Sequence, residues 1–232
     1  MDYPARIAEL STPHLADACL MAGIPVRCGP ASLRPVVAQA KCSGRVFPVR
    51  HVGSVDVFLE AFERASPEDL LVVDNEGRVD EACVGDLVAL EALNAGIRGI
   101  VIWGLHRDTA ELANIGLPVF SLGVLPTGPQ RLDPRSPDSM EWARIGAWVV
   151  TAADYVACDC DGILFLPTAG LDNVLTIAEG IAERERTQAE KMRAGTSLRQ
   201  QTQFARYLSE RQKNPKYGFR EHLKATGRAI EA

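Results

Sequence analysis

The chain has 232 residues, of which 47% are hydrophobic, and its formal net charge is −5 at pH 7. That length can bury one sizeable core, so one main domain is expected, and the acidic balance without a dominant basic patch argues against a nucleic-acid partner. No apolar run approaches the roughly 20 residues of a membrane span, and the N-terminus lacks the features of a signal peptide. The sequence therefore predicts a cytoplasmic protein with no membrane partner.

The first half of the chain shows helix and strand signals in turn. Residues 11–22 are predicted to form a helix, with Ser11 or Thr12 as the N-cap and Pro13 in the first turn. A short strand over 46–49, a helix over 57–64 and a buried strand over 70–73 are predicted to follow. This order already favours a mixed α/β domain.

The central stretch is the most regular part of the sequence. A helix over 86–95 ends at Gly96, and a buried strand is predicted over 100–103. Residues 104–107 are then predicted to form a turn, followed by a helix over 108–115 and a strand over 117–120. Such alternation of strands and helices is typical of α/β folds.

The C-terminal part begins with a proline-rich loop over 125–139. Strands are expected near 147–150, 155–158 and 163–166, and a long charged helix over 170–194. The tail, 197–232, is polar and basic, with one helix predicted over 198–212. We therefore divide the chain into an α/β domain (1–196) and a polar helical C-terminal tail (197–232).

Six cysteines are scattered along the chain, and none forms a CxxC pair: Cys19, Cys28, Cys42, Cys83, Cys158 and Cys160. In a cytoplasmic chain we expect these thiols to be reduced and largely buried. Cys158 and Cys160 fall on a predicted strand, where both side chains share one face. Paired core thiols are the favoured interpretation, because a metal site would need two more soft ligands nearby.

The first candidate site segment is Gly85-Asp86-Leu87-Val88, where a glycine precedes a predicted helix. The free backbone amides of a first helical turn form a ready anion site. The alternative is an ordinary helix start, in which Asp86 complements the helix dipole.

The second candidate segment, residues 103–108, joins a buried strand to the next helix. Ligands of α/β sheets bind at such carboxyl ends of strands. Arg107 can hold a carboxylate bidentately and Asp108 can bind a hard cation such as Mg²⁺. Alternatively, Asp108 is only an N-cap and Arg107 a surface residue. Because consecutive helix starts can converge on one cleft, the two segments together predict a site for a small acidic ligand.

Other catalytic motifs are absent from the sequence. It contains no G-x-G-x-x-G, Walker A, H-E-x-x-H or G-x-S-x-G pattern. The four histidines are not at metal-ligand spacing. His106 adjoins the second segment, so a direct role as catalytic base remains a minor alternative.

The combined motifs resemble the RraA-like family, which includes 4-hydroxy-4-methyl-2-oxoglutarate aldolases. The matching pieces are Gly85 to Ala89, Arg107-Asp108 twenty-two positions after Gly85, Pro118-Val119-Phe120, Asp159 to Gly162 with Pro167, and the helix that carries Glu185 and ends in Arg193-Ala194-Gly195. The resemblance covers roughly residues 10–200. It departs from the family pattern at Trp103 and His106, and at Ala152-Ala153-Asp154, which replaces the usual Pro-Gly-Asp turn.

The resemblance implies a three-layer β/β/α swivelling-type fold, assembled as a homotrimer or homohexamer with sites between subunits. It further implies that Asp108 binds Mg²⁺ or Mn²⁺ largely through waters. Arg107 would hold the pyruvyl group, the Leu87 and Val88 amides its carboxylate, and Asp86 a proton-donating water. A neighbouring subunit would add a glutamate, for which Glu185 is our candidate.

The expected function is therefore that of a metal-dependent lyase that cleaves a C–C bond of a small 2-oxo acid and releases pyruvate. Aldol cleavage and oxaloacetate decarboxylation share one enolate, which a divalent cation and an arginine can stabilise without a Schiff-base lysine. The alternative is a non-catalytic regulator, since some family members bind and inhibit a ribonuclease. The departures at Trp103 and His106 leave the identity of the oxo acid open.

Overall fold

The computed structural model describes residues 2–227, which form a mixed β-sheet with helices packed around it. The helices are α1 (Tyr3–Ala8), α2 (Thr12–Met21), α3 (Asp56–Arg64), α4 (Asp86–Asn94), α5 (Thr109–Ile115), α6 (Leu171–Arg193), α7 (Leu198–Gln201), α8 (Phe204–Lys213) and α9 (Phe219–Thr226). The strands are β1 (Arg27–Cys28), β2 (Arg34–Pro35), β3 (Cys42–Arg50), β4 (Leu70–Asp74), β5 (Ala82–Val84), β6 (Ile100–Trp103), β7 (Leu105–His106), β8 (Val119–Ser121), β9 (Trp142–Ile145), β10 (Trp148–Thr151), β11 (Asp154–Asp159) and β12 (Gly162–Pro167). Within this part of the chain, none of the helices has the length and apolarity that crossing a membrane requires.

Eight strands form one sheet in the order β1-β12-β11-β3-β4-β6-β8-β2. The four central strands, β3, β4, β6 and β8, run parallel, whereas the pairs toward both edges are antiparallel. A parallel centre with helical crossovers is the arrangement that strand–helix alternation predicts. The α/β class expected from the sequence is thus confirmed.

Alternating side chains of the buried strands separate the layers. In β4, Leu71 and Val73 pack against α3, α4 and α5, whereas Leu70 and Val72 face the β9–β10 hairpin on the other side. A strand that is buried on both faces shows no polar alternation in its sequence, which is why 70–73 appears as a continuous apolar run. The sheet centre therefore lies between a helical layer and a second β layer.

The antiparallel part of the sheet carries its own helical layer. In β12, Ile163 and Phe165 face the cluster that contains the hairpin, while Leu164 and Leu166 contact α1, α2 and α6. Because the side chains of a strand point alternately to opposite faces, one curled sheet supports both helical layers. This arrangement confirms the predicted layered fold.

Several predicted elements are corrected by the structure. The predicted turn over 104–107 contains the short strand β7, and β9 and α1 form where no element was predicted. The helix predicted over 198–212 is two helices, because Gln203 adopts a left-handed conformation (φ 51°) between α7 and α8. A side chain in that region interrupts a right-handed helix.

Cys158 and Cys160 do not share a face. β11 ends at Asp159, so Cys158 is buried in the core, whereas Cys160 lies exposed in the turn that follows. The prediction of paired core thiols is therefore wrong. The expectation that most cysteines are buried holds for Cys19 and Cys83 but not for Cys28, which is exposed.

The C-terminal helices pack largely on one another through aromatic rings. Tyr207 of α8 contacts Phe219 and His222 of α9, and Nε2 of His222 lies 2.9 Å from the Thr202 carbonyl. Gln201 ties α7 to α6 by donating to the Gln188 carbonyl over 3.1 Å. The last five residues of the proposed tail lie outside the described part of the chain.

Candidate active site

A short parallel strand pair brings the two predicted site segments together. β5 and β7 pair with Val84 opposite His106, and the Arg107 amide donates to the Val84 carbonyl over 3.0 Å. β5 leads into α4 through Gly85, and β7 leads into α5 through Arg107 and Asp108. The starts of α4 and α5 therefore lie side by side.

Asp108 adopts a conformation that few non-glycine residues occupy. Its φ of 58° and ψ of 43° lie in the left-handed region, which costs an L-residue on the order of 1 kcal/mol. Although Asp108 is the N-cap of α5, its carboxylate makes no capping hydrogen bond there. Instead, Oδ2 lies 3.4 Å from the Asp86 amide nitrogen and 3.3 Å from Nε of Arg107. The interpretation of Asp108 as a simple helix cap is thus contradicted, and strain of this kind is concentrated at functional sites.

Gly85 is required by the close approach of Asp108. Its φ of −132° is extended backbone that any residue can adopt, so conformation alone does not demand glycine. A Cβ at this position, however, would lie 2.4 Å from Oδ2 of Asp108 and 3.2 Å from Nε of Arg107. Gly85 therefore provides the space in which the carboxylate and the guanidinium meet.

The first turn of α4 offers backbone amides to the same space. Within α4, Ala89 donates to the Gly85 carbonyl over 3.1 Å, whereas the amides of the residues before it have no intrahelical acceptor. Oδ1 of Asp86 accepts from the Leu87 amide over 2.7 Å. A carboxylate ligand would replace this internal contact and gain the attraction of the helix N-terminus.

Arg107 keeps part of its binding capacity free. Its side chain is 48% exposed, and its Nε lies 3.3 Å from Oδ2 of Asp108. Nη1 lies against Gly128 in the proline-rich loop, where an added Cβ would be 2.9 Å away. The guanidinium thus has a fixed position but an open side, which suits recognition of a small anion.

The proline-rich loop predicted over 125–139 packs beside Arg107, a position that the sequence did not predict. Three backbone hydrogen bonds attach it to β7 and β5: His106 to Gly123 (3.0 Å), Leu125 to His106 (3.0 Å) and Ala82 to Thr127 (2.9 Å). In the sequence, the prolines of this segment predict a loop, but they do not indicate where that loop packs.

A buried ion pair anchors the same loop. Nε of Arg131 lies 3.1 Å from Oε1 of Glu81, whose side chain is only 4% exposed. Nη2 of Arg131 also donates to Oδ1 of Asn75 and to the His51 carbonyl, over 3.2 and 3.3 Å. Because removal of one partner would leave a buried charge uncompensated, this clamp holds the loop firmly.

His51 makes the stability of this clamp region dependent on pH. Burial lowers the pKa of His51, although its hydrogen bond with Asn75 (2.9 Å) and the nearby Glu81 act in the opposite direction. A histidine with a folded-state pKa below its unfolded-state value binds its proton first in the unfolded chain. Its contribution to stability is therefore present above the unfolded-state value and is lost as the pH falls below it.

We predict that the melting temperature falls on acidification below about pH 6.5, the ordinary histidine pKa, and that His51→Gln reduces this pH dependence. Thermal unfolding followed by circular dichroism across that pH range tests the prediction. His14→Gln is the control, since His14 lies near the surface beside Glu185. An unchanged pH profile in His51→Gln would contradict the assignment.

Both ring nitrogens of His106 are engaged inside the protein. Nδ1 lies 2.7 Å from Oγ of Ser121, and Nε2 lies 3.0 Å from Oγ1 of Thr109. Burial lowers the pKa of His106, so the ring is neutral near pH 7. The geometry favours a role in positioning Thr109, next to Asp108, over the role of direct base.

Trp103, the other departure from the family pattern, lies over a neighbouring turn. A Cβ on Gly77, whose φ is +68°, would approach the indole Nε1 to 2.8 Å. The Gly77 amide also donates to the Trp103 carbonyl over 3.0 Å. Trp103 therefore supports the β4–β5 connection.

The donor set suits a hard cation that retains much of its water. No cluster of three His, Cys, Asp or Glu side chains within residues 2–227 could enclose a metal ion. Asp108 supplies one carboxylate, whose Oδ2 lies 3.4 Å from the Asp86 amide nitrogen, while the Asp86 carboxylate is turned to the Leu87 amide. Mg²⁺ is commonly held by one or two carboxylates with waters and substrate, whereas closed zinc sites need four protein ligands. The residues thus fit Mg²⁺ or Mn²⁺ and do not fit structural zinc.

Glu185 lies on α6, away from the elements that carry the other candidate residues. Its Oε2 is 3.0 Å from Nε2 of His14 at the start of α2. α6 and α2 belong to one hydrophobic cluster and α4 to another. Within a single chain, Glu185 therefore pairs with His14 and not with Asp86, Arg107 or Asp108.

A protein-family model supports the resemblance noted in the sequence. The model of the RraA-like family, described as Aldolase/RraA, matches residues 12–165. This is about two thirds of the chain and includes Gly85, Arg107 and Asp108. The chain belongs to the RraA-like family.

One relative that matches the chain agrees with this assignment. A protein of Alcanivorax borkumensis, provisionally named a 4-hydroxy-4-methyl-2-oxoglutarate aldolase, is 33% identical over 100 residues, or 43% of this chain. The match spans 61% of that relative's length.

Two solved structures share the fold. An uncharacterized protein from Pseudomonas syringae pv. tomato superposes with a TM-score of 0.74 at 25% identity, covering 85% of this chain and 95% of that one. RraAS2 of Streptomyces coelicolor, described as an unusual member of the RNase ES inhibitor RraA protein family, gives 0.70 at 20% identity, covering 82% and 96%.

Proposed function

We propose that this protein is a divalent-metal-dependent lyase that cleaves a C–C bond of a 2-oxo acid and releases pyruvate. The observation that carries the proposal is the placement of the Asp108 carboxylate. It is withheld from its own helix and held beside Arg107 and the first turn of α4. A carboxylate, a guanidinium and the amides of a first helical turn in one place match the needs of a small oxo acid with a hard cation.

Each residue has a distinct task in this proposal. Arg107 binds the pyruvyl group through its open side, and the Leu87 and Val88 amides receive the carboxylate. Asp86 holds a water, and Asp108 is the metal ligand. The bound Mg²⁺ or Mn²⁺ would supply Lewis-acid stabilisation of negative charge on the 2-oxo oxygen.

One bond-breaking scheme serves both candidate reactions. In aldol cleavage the C3–C4 bond breaks, the 4-hydroxyl gives its proton to solvent and becomes a carbonyl, and the electron pair remains as the enolate of pyruvate. In oxaloacetate decarboxylation the same bond breaks and CO₂ leaves. The water held by Asp86 then protonates C3 in either case, while Arg107 offsets the negative charge as it develops.

We further propose that the site is completed in a homotrimer or homohexamer, where Glu185 of a neighbouring copy reaches it. Within its own chain Glu185 contacts His14 and not Arg107. A role in the site would therefore have to be in that of a neighbouring copy. The aldolase name of the Alcanivorax borkumensis relative supports the chemistry.

The proposal is tested by pyruvate release from oxaloacetate and from 4-hydroxy-4-methyl-2-oxoglutarate. We expect turnover with Mg²⁺ or Mn²⁺ and its loss with EDTA. Turnover that persists in EDTA would contradict the metal-dependent mechanism. The alternative function is that of a protein-binding regulator, for which the fold shared with RraAS2 is the observation in favour. No cleavage of any oxo acid, together with inhibition of a ribonuclease, would favour it.

Replacement of Gly85 with alanine is expected to impair turnover while leaving the fold intact. The added Cβ would displace the Asp108 carboxylate, and a misplacement of about 1 Å can cost on the order of a hundredfold in rate. Pyruvate release and the melting temperature are measured together.

Gly218→Ala is the matched control for this variant. Gly218 is also an N-cap glycine with extended backbone, but no atom lies within 4 Å of the Cβ it would gain. Equal rates in the two alanine variants would show that the space at Gly85 is unimportant.

A further inference from the structure

Cys158 has a thiol partner on a neighbouring strand, although it does not pair with Cys160. β3 and β11 run antiparallel, and their register sets Cys158 directly opposite Cys42. Directly opposed residues of an antiparallel pair have Cα atoms about 4.5 or 5.5 Å apart and side chains on the same face of the sheet. A disulfide needs Cα atoms roughly 4.4–6.8 Å apart. The backbone at this pair therefore already has the spacing that a disulfide requires.

The two thiols also contact each other. Burial and a hydrogen bond with the Cys42 thiol raise the pKa of Cys158. Both side chains pack in the hydrophobic cluster that contains the β9–β10 hairpin, Cys158 as a buried member and Cys42 as a partly buried neighbour. A bond between the two sulfur atoms therefore needs no rearrangement of the strands that carry them.

Cys42 is the member of the pair that solvent can reach. It is partly exposed, whereas Cys158 is 1% exposed. A Cβ on Gly99 would lie 2.8 Å from Sγ of Cys42, so glycine at position 99 leaves the space that this thiol occupies. The difference in exposure gives the two cysteines different roles: an oxidant meets Cys42 first, and Cys158 reacts with the product from within the core.

The pair lies away from the candidate active site. Cys42 is the first residue of β3, and Gly99 directly precedes β6, whereas Arg107 and Asp108 come after β6 and β7. The strands that the pair would join, β3 and β11, connect the parallel centre of the sheet to its antiparallel part. Chemistry at this place is therefore independent of the proposed lyase function.

We infer that Cys42 and Cys158 form a modification site, at which a peroxide converts the two thiols into a disulfide that fastens β3 to β11. In the first step Sγ of Cys42 bonds to one peroxide oxygen, the O–O bond breaks, and the leaving hydroxide takes the thiol proton as water. In the second step Sγ of Cys158 bonds to Sγ of Cys42, the S–O bond breaks, and a second water leaves. Two thiols are thus oxidised while one peroxide is reduced to two waters, and a dithiol reverses the change.

Peptide mapping after treatment with hydrogen peroxide tests the inference on the full chain. Trypsin releases Cys42 within peptide 42–45 and Cys158 within peptide 145–184, which also carries Cys160. The Cys160→Ser variant makes the assignment unique, because a link between these peptides then joins Cys42 to Cys158. With free thiols blocked by iodoacetamide before digestion, we expect this link after peroxide and its disappearance after dithiothreitol. No link, or links of Cys42 to other cysteines only, would overturn the inference.

Thermal unfolding measures whether the disulfide fastens the two strands. The peroxide-treated Cys160→Ser protein should melt about 5–10 °C higher before dithiothreitol than after it, because the link restricts a long segment of the unfolded chain. Cys42→Ser and Cys158→Ala, each in the same background, should lose this difference. Equal melting temperatures before and after dithiothreitol would reject the fastening of β3 to β11.

Cys83→Ala is the matched control for Cys158→Ala. Cys83 is likewise a buried thiol on a strand, but its Sγ donates to the Leu105 carbonyl over 3.8 Å. The difference in melting temperature should persist in this variant. Its loss in Cys83→Ala as well would assign the effect to buried thiols in general and overturn the role of the Cys42–Cys158 pair.

Discussion

Arg107→Ala is expected to lower kcat/KM for pyruvate release by about a hundredfold to a thousandfold, the usual cost of losing one donor to a developing oxyanion. The Arg107 side chain is half exposed, and its guanidinium lies between Gly128 and Asp108. In the proposed mechanism its loss removes positive charge where the enolate would form, and it should leave the core unchanged. Steady-state kinetics with oxaloacetate provide the measurement.

Arg98→Ala is a matched control for Arg107→Ala. The Arg98 side chain is 47% exposed and is paired with Glu68, so the control removes a surface arginine of similar exposure. Arg107→Lys adds a finer comparison, because lysine keeps the charge but not the planar pair of donors. Full activity in Arg107→Ala would reject the assignment of the pyruvyl site.

Asp108→Asn is expected to reduce activity to the level seen in EDTA. Asparagine has nearly the same shape and tolerates the left-handed conformation, so the fold should be retained while the charged metal ligand is lost. Loss of a residue that only supports a metal ligand typically costs 10- to 100-fold in affinity, and we expect at least about a hundredfold for the ligand itself. Mn²⁺ binding followed by electron paramagnetic resonance measures this directly.

Glu76→Gln is the control for Asp108→Asn. Glu76 is another acidic residue with positive φ (59°), and it is not one of the residues assigned to the candidate site. Its replacement should leave Mn²⁺ binding unchanged. Retention of full Mn²⁺ affinity in Asp108→Asn would place the metal elsewhere.

The place of the candidate site was predictable from the sequence, because it depends on regular elements. The apolar runs of β4 and β6 and the glycine at the start of α4 give clear signals, and parallel strands put the following helix starts at one edge. These signals place Gly85 and Arg107 at the starts of consecutive helices, whereas the β5–β7 pair that brings the two residues together was not predicted.

The finer geometry was not predictable, because it depends on contacts between distant segments. β5 and β7 have only three and two residues, too few for a recognisable pattern, and they are defined by pairing with each other. The left-handed conformation of Asp108 and the attachment of the loop by Arg131 depend likewise on tertiary contacts. The break at Gln203 has no glycine or proline to indicate it.

The strained backbone at Asp108 has a consequence for how this protein responds to selection. Glycine at position 108 would relieve left-handed strain on the order of 1 kcal/mol, a gain that the larger unfolded-chain entropy of glycine offsets in part, but it would remove the carboxylate. A library screened only for heat resistance should therefore enrich glycine there, and one screened for turnover should retain aspartate. Selection for thermal stability and selection for the proposed activity are therefore expected to favour different residues at position 108.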